Sequence, residues 1–185
     1  IQISVKTRLG MEDASGFPEL MKLYNKFPMK ELIIHPRVQK DFYKNTPNLE
    51  MFAEAFAMST NPVCYNGDIF CVEDHQRICE RFPELDAVMS GRGTLTNPAL
   101  AREIRGGQAL TKAELRKFHD LVYHTYRAEV SGDRNVLFKM KELWFYMGPL
   151  FANNKKYLKK IKKSEKCIVY ESAVAELFSN EELIL

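Results

Sequence analysis

PVCYNGD at residues 62–68 is a short apolar run that ends in an Asn-Gly-Asp turn. An apolar run bounded by turn residues is typical of a buried strand. Similar runs occur at 2–8, 31–35 and 85–90. Helical patterns follow them at 18–27, from Thr46-Pro47 through Phe56, at 72–82, and from Asn97-Pro98 to Gly106-Gly107. Four strand-then-helix units predict a parallel sheet with right-handed crossovers.

The rest of the chain shows helical patterns only. Thr111 and Glu114 have the spacing of a capping box. Ser131-Gly132-Asp133 predicts a turn, and an apolar stripe that includes Trp144 follows it. A last helix is predicted over 171–178. The sequence thus predicts an α/β domain at 1–107 and an all-α domain at 108–185.

Composition excludes several classes of protein. A hydrophobic fraction of 45% with 28% charged residues is typical of a globular protein. The apolar runs are far shorter than a membrane span requires, so no membrane span is predicted. Four cysteines without a CxxC pair favour a reducing, cytoplasmic setting. The chain opens at Ile1 on a strand-like run, from which we expect a piece of a longer protein.

Basic residues are concentrated in the helical part. The net charge is only +3, but the run KKYLKKIKK at 155–163 carries much of the excess. Its ammonium groups could neutralise the phosphates of a nucleic acid. A solvated lysine-rich helix face is the alternative interpretation, and Tyr157, Leu158 and Ile161 turned inward would satisfy both.

Polar and cationic residues follow every predicted strand. Ligands of parallel α/β folds bind at the carboxyl ends of the strands, where these residues converge. Glycines after the third and fourth strands would let backbone N–H groups approach an anion, although both could be simple tight turns. The pattern predicts an anionic ligand. The residues are Lys6, Thr7 and Arg8, then His35, Pro36 and Arg37, then Asn66, Gly67 and Asp68, then Gly91, Arg92 and Gly93.

The series VKTRLG (5–10), HPR (35–37), NGDI (66–69) and GRG (91–93) followed by NP (97–98) resembles the second half of a tRNA-dihydrouridine synthase. FKMKELWFY at 138–146 resembles the RNA-binding domain of that family. The resemblance implies a partial (βα)₈ TIM barrel, strands five to eight, followed by a C-terminal helical domain. It also implies an FMN-dependent oxidoreductase that reduces the C5=C6 bond of uridine in tRNA, with NADPH or NADH as the electron source.

The resemblance implies roles for individual residues. Lys6 matches the lysine that lies against the flavin ring, and His35 matches the histidine that approaches flavin and substrate. The matches to the residues that hold the ribityl chain and phosphate are Asn66, Gly67, Asp68, Gly91 and Arg92. Arg8 and Arg37 correspond to cationic positions near uracil or tRNA. Lys139 and Lys141 are predicted to contact RNA.

One family feature does not occur in this sequence. The family's proton donor is a cysteine in an Asn-x-Gly-Cys-Pro stretch, and none of the four cysteines has those neighbours. We therefore expect this chain alone to be inactive. Half a barrel would also expose strand edges, from which we expect self-association.

The sequence is also compatible with two other functions. One is an FMN-dependent TIM-barrel oxidoreductase that acts on a small molecule, and the other is a redox-inactive RNA-binding module. No metal site is predicted, since His119 and His124 do not share a helix face.

Overall fold

A computed structural model describes residues 1–42 and 44–184. The chain forms two compact units, Ile1–Gly91 and Arg92–Leu185. The domains predicted at 1–107 and 108–185 stay a prediction.

The first unit contains a parallel sheet of four strands over the described residues. They are β1 (Ser4–Gly10), β2 (Glu31–Val38), β3 (Val63–Tyr65) and β4 (Ala87–Val88), in the spatial order β1-β2-β3-β4. The predicted strand-then-helix alternation with a parallel sheet is confirmed for the first three strands. Because all four strands run in the same direction, their carboxyl ends lie at the same end of the sheet.

Three helices of this unit follow its strands: α1 (Phe17–Tyr24), α2 (Leu49–Met58) and α3 (Val72–Arg81). Phe52 of α2 contacts the rings of Tyr65 and Phe82 at 5.0 Å each, and the hydroxyl of Tyr24 donates to that of Thr7. One face of the sheet therefore packs against helices. By the alternation of side chains along a strand, Lys6, Arg8, His35 and Cys64 belong to the other face.

Several predicted boundaries were wrong. β2 continues past Pro36 to Val38, which pairs with Gly10. Asn48, not Thr46, caps α2, because its Oδ1 accepts the Met51 N–H at 3.0 Å. β4 is only two residues long.

Six helices follow in the described part of the second unit: α4 (Arg92–Thr96), α5 (Leu100–Ile104), α6 (Lys112–Glu129), α7 (Asp133–Met147), α8 (Lys155–Lys163) and α9 (Cys167–Asn180). The sequence missed α4, since its GRG start reads as a turn. It also placed the start of α9 at residue 171, four residues late. The predicted capping box is confirmed, because the Thr111 Oγ1 accepts the Glu114 N–H at 3.2 Å and Glu114 accepts the Thr111 N–H at 3.0 Å.

Helices α6, α7, α8 and α9 enclose the core of the second unit, and Trp144 lies within it, 3% exposed. The indole N–H donates to the hydroxyl of Tyr170 at 2.8 Å, and that oxygen lies 2.6 Å from Nε2 of buried His119. Nδ1 of His119 contacts Asp120 at 2.8 Å. This chain of bonds satisfies polar groups that burial would otherwise penalise. Over residues 1–42 and 44–184, no helix has the length and apolar character needed to cross a membrane.

Candidate functional site at the carboxyl end of the sheet

The strand register brings two cations and a histidine together. Lys6 pairs with Ile33, and Arg8 pairs with His35 on the neighbouring strand. Paired residues of a parallel sheet project to the same face, so the three polar side chains share the face without helices. The structure thus groups Lys6, Arg8 and His35 on one face of β1 and β2, within these strands and not at their last residues.

His35 is buried, with 7% of its surface exposed. Burial, and after it the nearby charges of Arg8, Lys6 and Arg37, lower its pKa to about 4, whereas the charge of Asp68 acts in the opposite direction. An imidazole with this pKa is neutral at physiological pH. The site therefore contains a neutral histidine among cations.

Arg37 is the most enclosed cation of the unit, at 2% exposure. Its Nη1 and Nη2 donate to the two carboxylate oxygens of Asp68 at 3.0 and 2.6 Å, and its Nε donates to the Asn45 carbonyl at 2.6 Å. Nη1 also lies 3.3 Å from Nε2 of His35. The predicted contact of Arg37 with uracil or tRNA stays a prediction, and in this structure protein atoms engage the guanidinium.

Lys6 and Arg8 are more accessible. Lys6 is exposed, and partial burial together with the charge of Arg8 lowers its pKa. Arg8 is half-buried and donates from Nη1 to the Val38 carbonyl at 3.1 Å. Two cations this close favour an anion between or above them.

The Asn-Gly-Asp turn after β3 packs against Tyr65 of that strand. Asn66 donates its side-chain N–H to the Met89 carbonyl at 2.8 Å and thereby ties this turn to the segment after β4. A Cβ on Gly67 would lie 2.0 Å from the hydroxyl of Tyr65, which is buried at 1% exposure. Packing inside the protein is therefore enough to require glycine at this position.

Gly91 differs from Gly67 in this respect. A Cβ on Gly91 would meet no atom within 4 Å, and the backbone is not left-handed there. Arg92, the next residue, is half-buried and begins α4 of the second unit. Their predicted contacts with the ribityl chain and phosphate stay predictions.

The predicted RNA contacts of the second unit fall on its helices. Lys139 is exposed on α7, whereas half-buried Lys141 donates to the Ser164 carbonyl at 2.6 Å. On α8, Tyr157 and Ile161 are buried, and Leu158 is half-buried against the core, as predicted. The six exposed lysines of α8 are Lys155, Lys156, Lys159, Lys160, Lys162 and Lys163.

All four cysteines are free thiols. Cys64 is buried in β3, and burial together with Glu31 raises its pKa to about 11. Within the described ranges, no group of three or more His, Cys, Asp or Glu side chains could hold a metal ion.

Sequence patterns missed the pairing of Arg37 with Asp68. The two residues are 31 positions apart: Arg37 lies in β2, and Asp68 lies in the turn after β3, the neighbouring strand. An arginine after one strand and an aspartate after its neighbour is the signal that could have found the pair, because parallel strands bring their carboxyl ends together.

The sequence is similar to known proteins of one family. The sequence profile of the dihydrouridine synthase (Dus) family matches residues 1–181. A tRNA-dihydrouridine(16) synthase of Shewanella oneidensis is 35% identical over 57% of this chain and 33% of its own length. One from Pseudomonas syringae pv. tomato is 32% identical over 58% of this chain and 34% of its own length. A "Probable tRNA-dihydrouridine synthase" of Helicobacter pylori is 27% identical over 98% of this chain and 54% of its own length.

The aligned part of this chain spans about a third of the length of most of these curated relatives and about half of the Helicobacter protein. The match of the family profile extends over nearly the whole chain. The chain belongs to the dihydrouridine synthase family.

Proposed function

We propose that this chain carries the flavin-binding end and the RNA-binding helical unit of a cytoplasmic, FMN-dependent tRNA-dihydrouridine synthase. The enzyme reduces the C5=C6 bond of a uridine in tRNA with electrons from NADPH or NADH. In this proposal β1 to β4 are strands five to eight of a (βα)₈ barrel. The convergence of Lys6, Arg8 and His35 on one face of the sheet is the observation that carries the proposal.

The donor set fits a flavin mononucleotide. Three positive charges act on His35 in this region, those of Lys6, Arg8 and Arg37. The carboxylate that acts on His35 there is Asp68, which pairs with Arg37. FMN brings a phosphate dianion, and its ring becomes negative on reduction. Once bound and reduced by NADPH or NADH, the flavin would supply the hydride that reduces the uracil.

Each residue then has a distinct task. The ammonium of Lys6 stabilises negative charge on the ligand, since it is exposed on the open face of the sheet. His35 acts as a neutral hydrogen-bonding group. Gly91 leaves space for a ligand to approach the backbone. The turn at Asn66 to Asp68 is held in place by its contacts with Met89 and Arg37.

We assign the tRNA contact to the lysine face of α8, together with Lys139. Lys160 is paired with Glu176 at 2.5 Å, and Lys156 with Glu181 at 4.0 Å. Among the described residues, the other four exposed lysines have no acidic partner within 4.0 Å: Lys155, Lys159, Lys162 and Lys163. A group of cations without acidic partners on one helix is typical of a phosphate-binding surface.

Proton donation to C5 of uracil is not assigned to this chain. Cys64 is buried, and its raised pKa keeps it a thiol that gives up its proton poorly. No Asn-x-Gly-Cys-Pro stretch occurs in residues 1–185. We expect the chain alone to form no dihydrouridine in tRNA with FMN and NADPH, and detection of dihydrouridine by mass spectrometry of digested tRNA would contradict this assignment.

Titration of the purified chain with FMN, followed by flavin fluorescence, tests the proposed function. We expect saturable quenching that is weakened by Lys6→Ala, because this substitution removes a cation from the open face. Lys22→Ala serves as the control, since Lys22 lies exposed on α1 and pairs with Glu19. Equal FMN affinities of the wild-type, Lys6→Ala and Lys22→Ala proteins would show that Lys6 does not belong to the site.

The same titration, combined with a tRNA gel shift, separates the alternatives. A chain that binds tRNA but not FMN would be an RNA-binding module. A chain that binds FMN but not tRNA would support a flavin-dependent oxidoreductase that acts on a small molecule.

A further inference from the structure

Arg37 links three groups of the candidate site from a buried position. Its side chain is 1% exposed. Two of its nitrogens donate to Asp68 and a third donates to the Asn45 carbonyl, so the plane of the guanidinium is fixed from both sides. A bidentate pair of this kind sets geometry as well as charge.

The contact between Arg37 and His35 determines where the imidazole proton lies. Nη1 of Arg37 lies 3.3 Å from Nε2 of His35. A guanidinium has only donors, so Nε2 must be the acceptor of this contact. An imidazole that accepts at Nε2 is neutral and carries its proton on Nδ1.

We propose that Arg37 is a positioning residue that holds His35 as the neutral Nδ1–H tautomer, so that His35 serves the site as a hydrogen-bond donor and not as a general acid. This assignment rests on the proposed function, because it concerns the same ligand site. It gives Arg37 a role inside the protein in place of direct contact with uracil or tRNA. It also means that the proton delivered to C5 of uracil does not come from His35.

The cations around His35 also disfavour the imidazolium. Lys6 and Arg8 face it from β1, Arg37 faces it from β2, and Asp68 faces it from the turn after β3. Asp68 is the one group among these that favours the imidazolium, and Arg37 engages both of its oxygens. Arg37 therefore disfavours the imidazolium in two ways, by its own charge and by its pairing with Asp68.

Replacement of Arg37 should release both effects. Arg37→Met removes the donor to Nε2 and the two guanidinium hydrogen bonds to Asp68, so the imidazolium becomes easier to form. Arg37→Lys keeps the charge, but a single ammonium cannot reproduce the planar fork that contacts Asp68 and His35 together. We expect Lys to restore the low titration midpoint in part, without restoring a single tautomer.

Two-bond ¹H–¹⁵N correlation spectra of the chain labelled with ¹⁵N-histidine test this proposal directly. The chain has four histidines, so His35 can be assigned by a His35→Gln variant. We expect wild-type His35 to show a protonated Nδ1 and an unprotonated Nε2 at neutral pH. Arg37→Met should give mixed tautomers and a higher titration midpoint. Arg77→Met should change neither, since Arg77 is an exposed cation of α3.

A wild-type His35 protonated on Nε2 would overturn the proposal, as would an Arg37→Met spectrum with an unchanged tautomer and midpoint. If Arg37→Met fails to fold, Asp68→Asn provides the second variant, because it removes the carboxylate that orients the guanidinium. No flavin is needed for these spectra. A failure of FMN binding would therefore count against the proposed function and leave the tautomer result standing.

Discussion

At the scale of single residues, the two glycines of the candidate site differ in what the protein itself requires of them. Gly67 has no room for a side chain, because a Cβ would overlap the hydroxyl of buried Tyr65. A Cβ on Gly91 would meet no atom within 4 Å, and the backbone there is not left-handed. Packing against a Cβ therefore does not require glycine at position 91, and we expect a bound ligand to require it.

The two alanine substitutions should separate stability from binding. We expect Gly67→Ala to lower the free energy of unfolding by about 1–3 kcal/mol through overpacking. Gly91→Ala should leave it within about 0.5 kcal/mol of wild type and weaken FMN binding. Urea unfolding and FMN titration measure the two effects. A destabilised Gly91→Ala protein, or one that binds FMN normally, would contradict this explanation.

Sequence patterns located the residues of the site, but not their contacts. Lys6, Arg8 and His35 could be predicted as neighbours because the carboxyl ends of parallel strands converge. The pairing of Arg37 with Asp68 depends on side-chain packing across two strands, which has no local signal. Sequence patterns predict where a residue falls along the chain, and the fold determines which atoms it touches.

At the scale of elements, α6, α7 and α9 are joined by a buried histidine. His119 of α6 contacts Tyr170 of α9, which in turn accepts from Trp144 of α7. Burial lowers the pKa of His119, and the charges nearest to it are Asp120, Arg116 and His124. The unfolded chain therefore binds a proton at His119 more readily than the folded chain does.

This difference predicts a loss of stability in mild acid. The contribution of neutral His119 is fully present above its unfolded pKa of about 6.5 and declines as the pH falls below that value. We expect the free energy of unfolding, followed by Trp144 fluorescence, to fall between about pH 7.5 and about pH 5.5. His124→Gln should retain this fall, whereas His119→Gln should reduce it; His35, whose pKa is also lowered, contributes a fall of the same sign in both variants. An equal pH dependence in the two variants would contradict the role of His119.

The lysine face of α8 gives a second prediction at this scale. Lys159→Gln with Lys163→Gln should weaken tRNA binding and reduce the slope of log K against log salt by about 1 for each phosphate that is no longer neutralised. Lys22→Gln on α1 is the matched control. Gel shifts at several salt concentrations measure the slope, and an unchanged slope would indicate that this face is merely solvated.

The ends of elements were harder to predict than their existence. β2 runs through Pro36 because pairing of Val38 with Gly10 outweighs the local preference to stop. Helix α4 begins within a glycine-rich segment whose composition favours a turn, and its packing against α7 stabilises it. Contacts between elements determine both the end of β2 and the start of α4, and local composition indicates neither.

At the scale of the whole molecule, the sheet has open edges among the described residues. β1 pairs with β2 alone, and its seven residues leave one edge without a strand partner in the described part of the chain. Such an edge is a template for pairing with another chain. We expect the chain to form dimers or larger species in sedimentation velocity experiments, and Val5→Pro should reduce them. A monodisperse monomer at high concentration would contradict this prediction.

The central claim is that Lys6, Arg8 and His35 form the flavin site of this chain. Titration of the ¹⁵N-histidine-labelled chain with FMN tests it most directly, because each histidine reports on its own location. We predict a saturable shift of the His35 signals, with those of His75, His119 and His124 unchanged. Saturable binding of FMN without a shift of His35, or the absence of saturable binding, would contradict the claim.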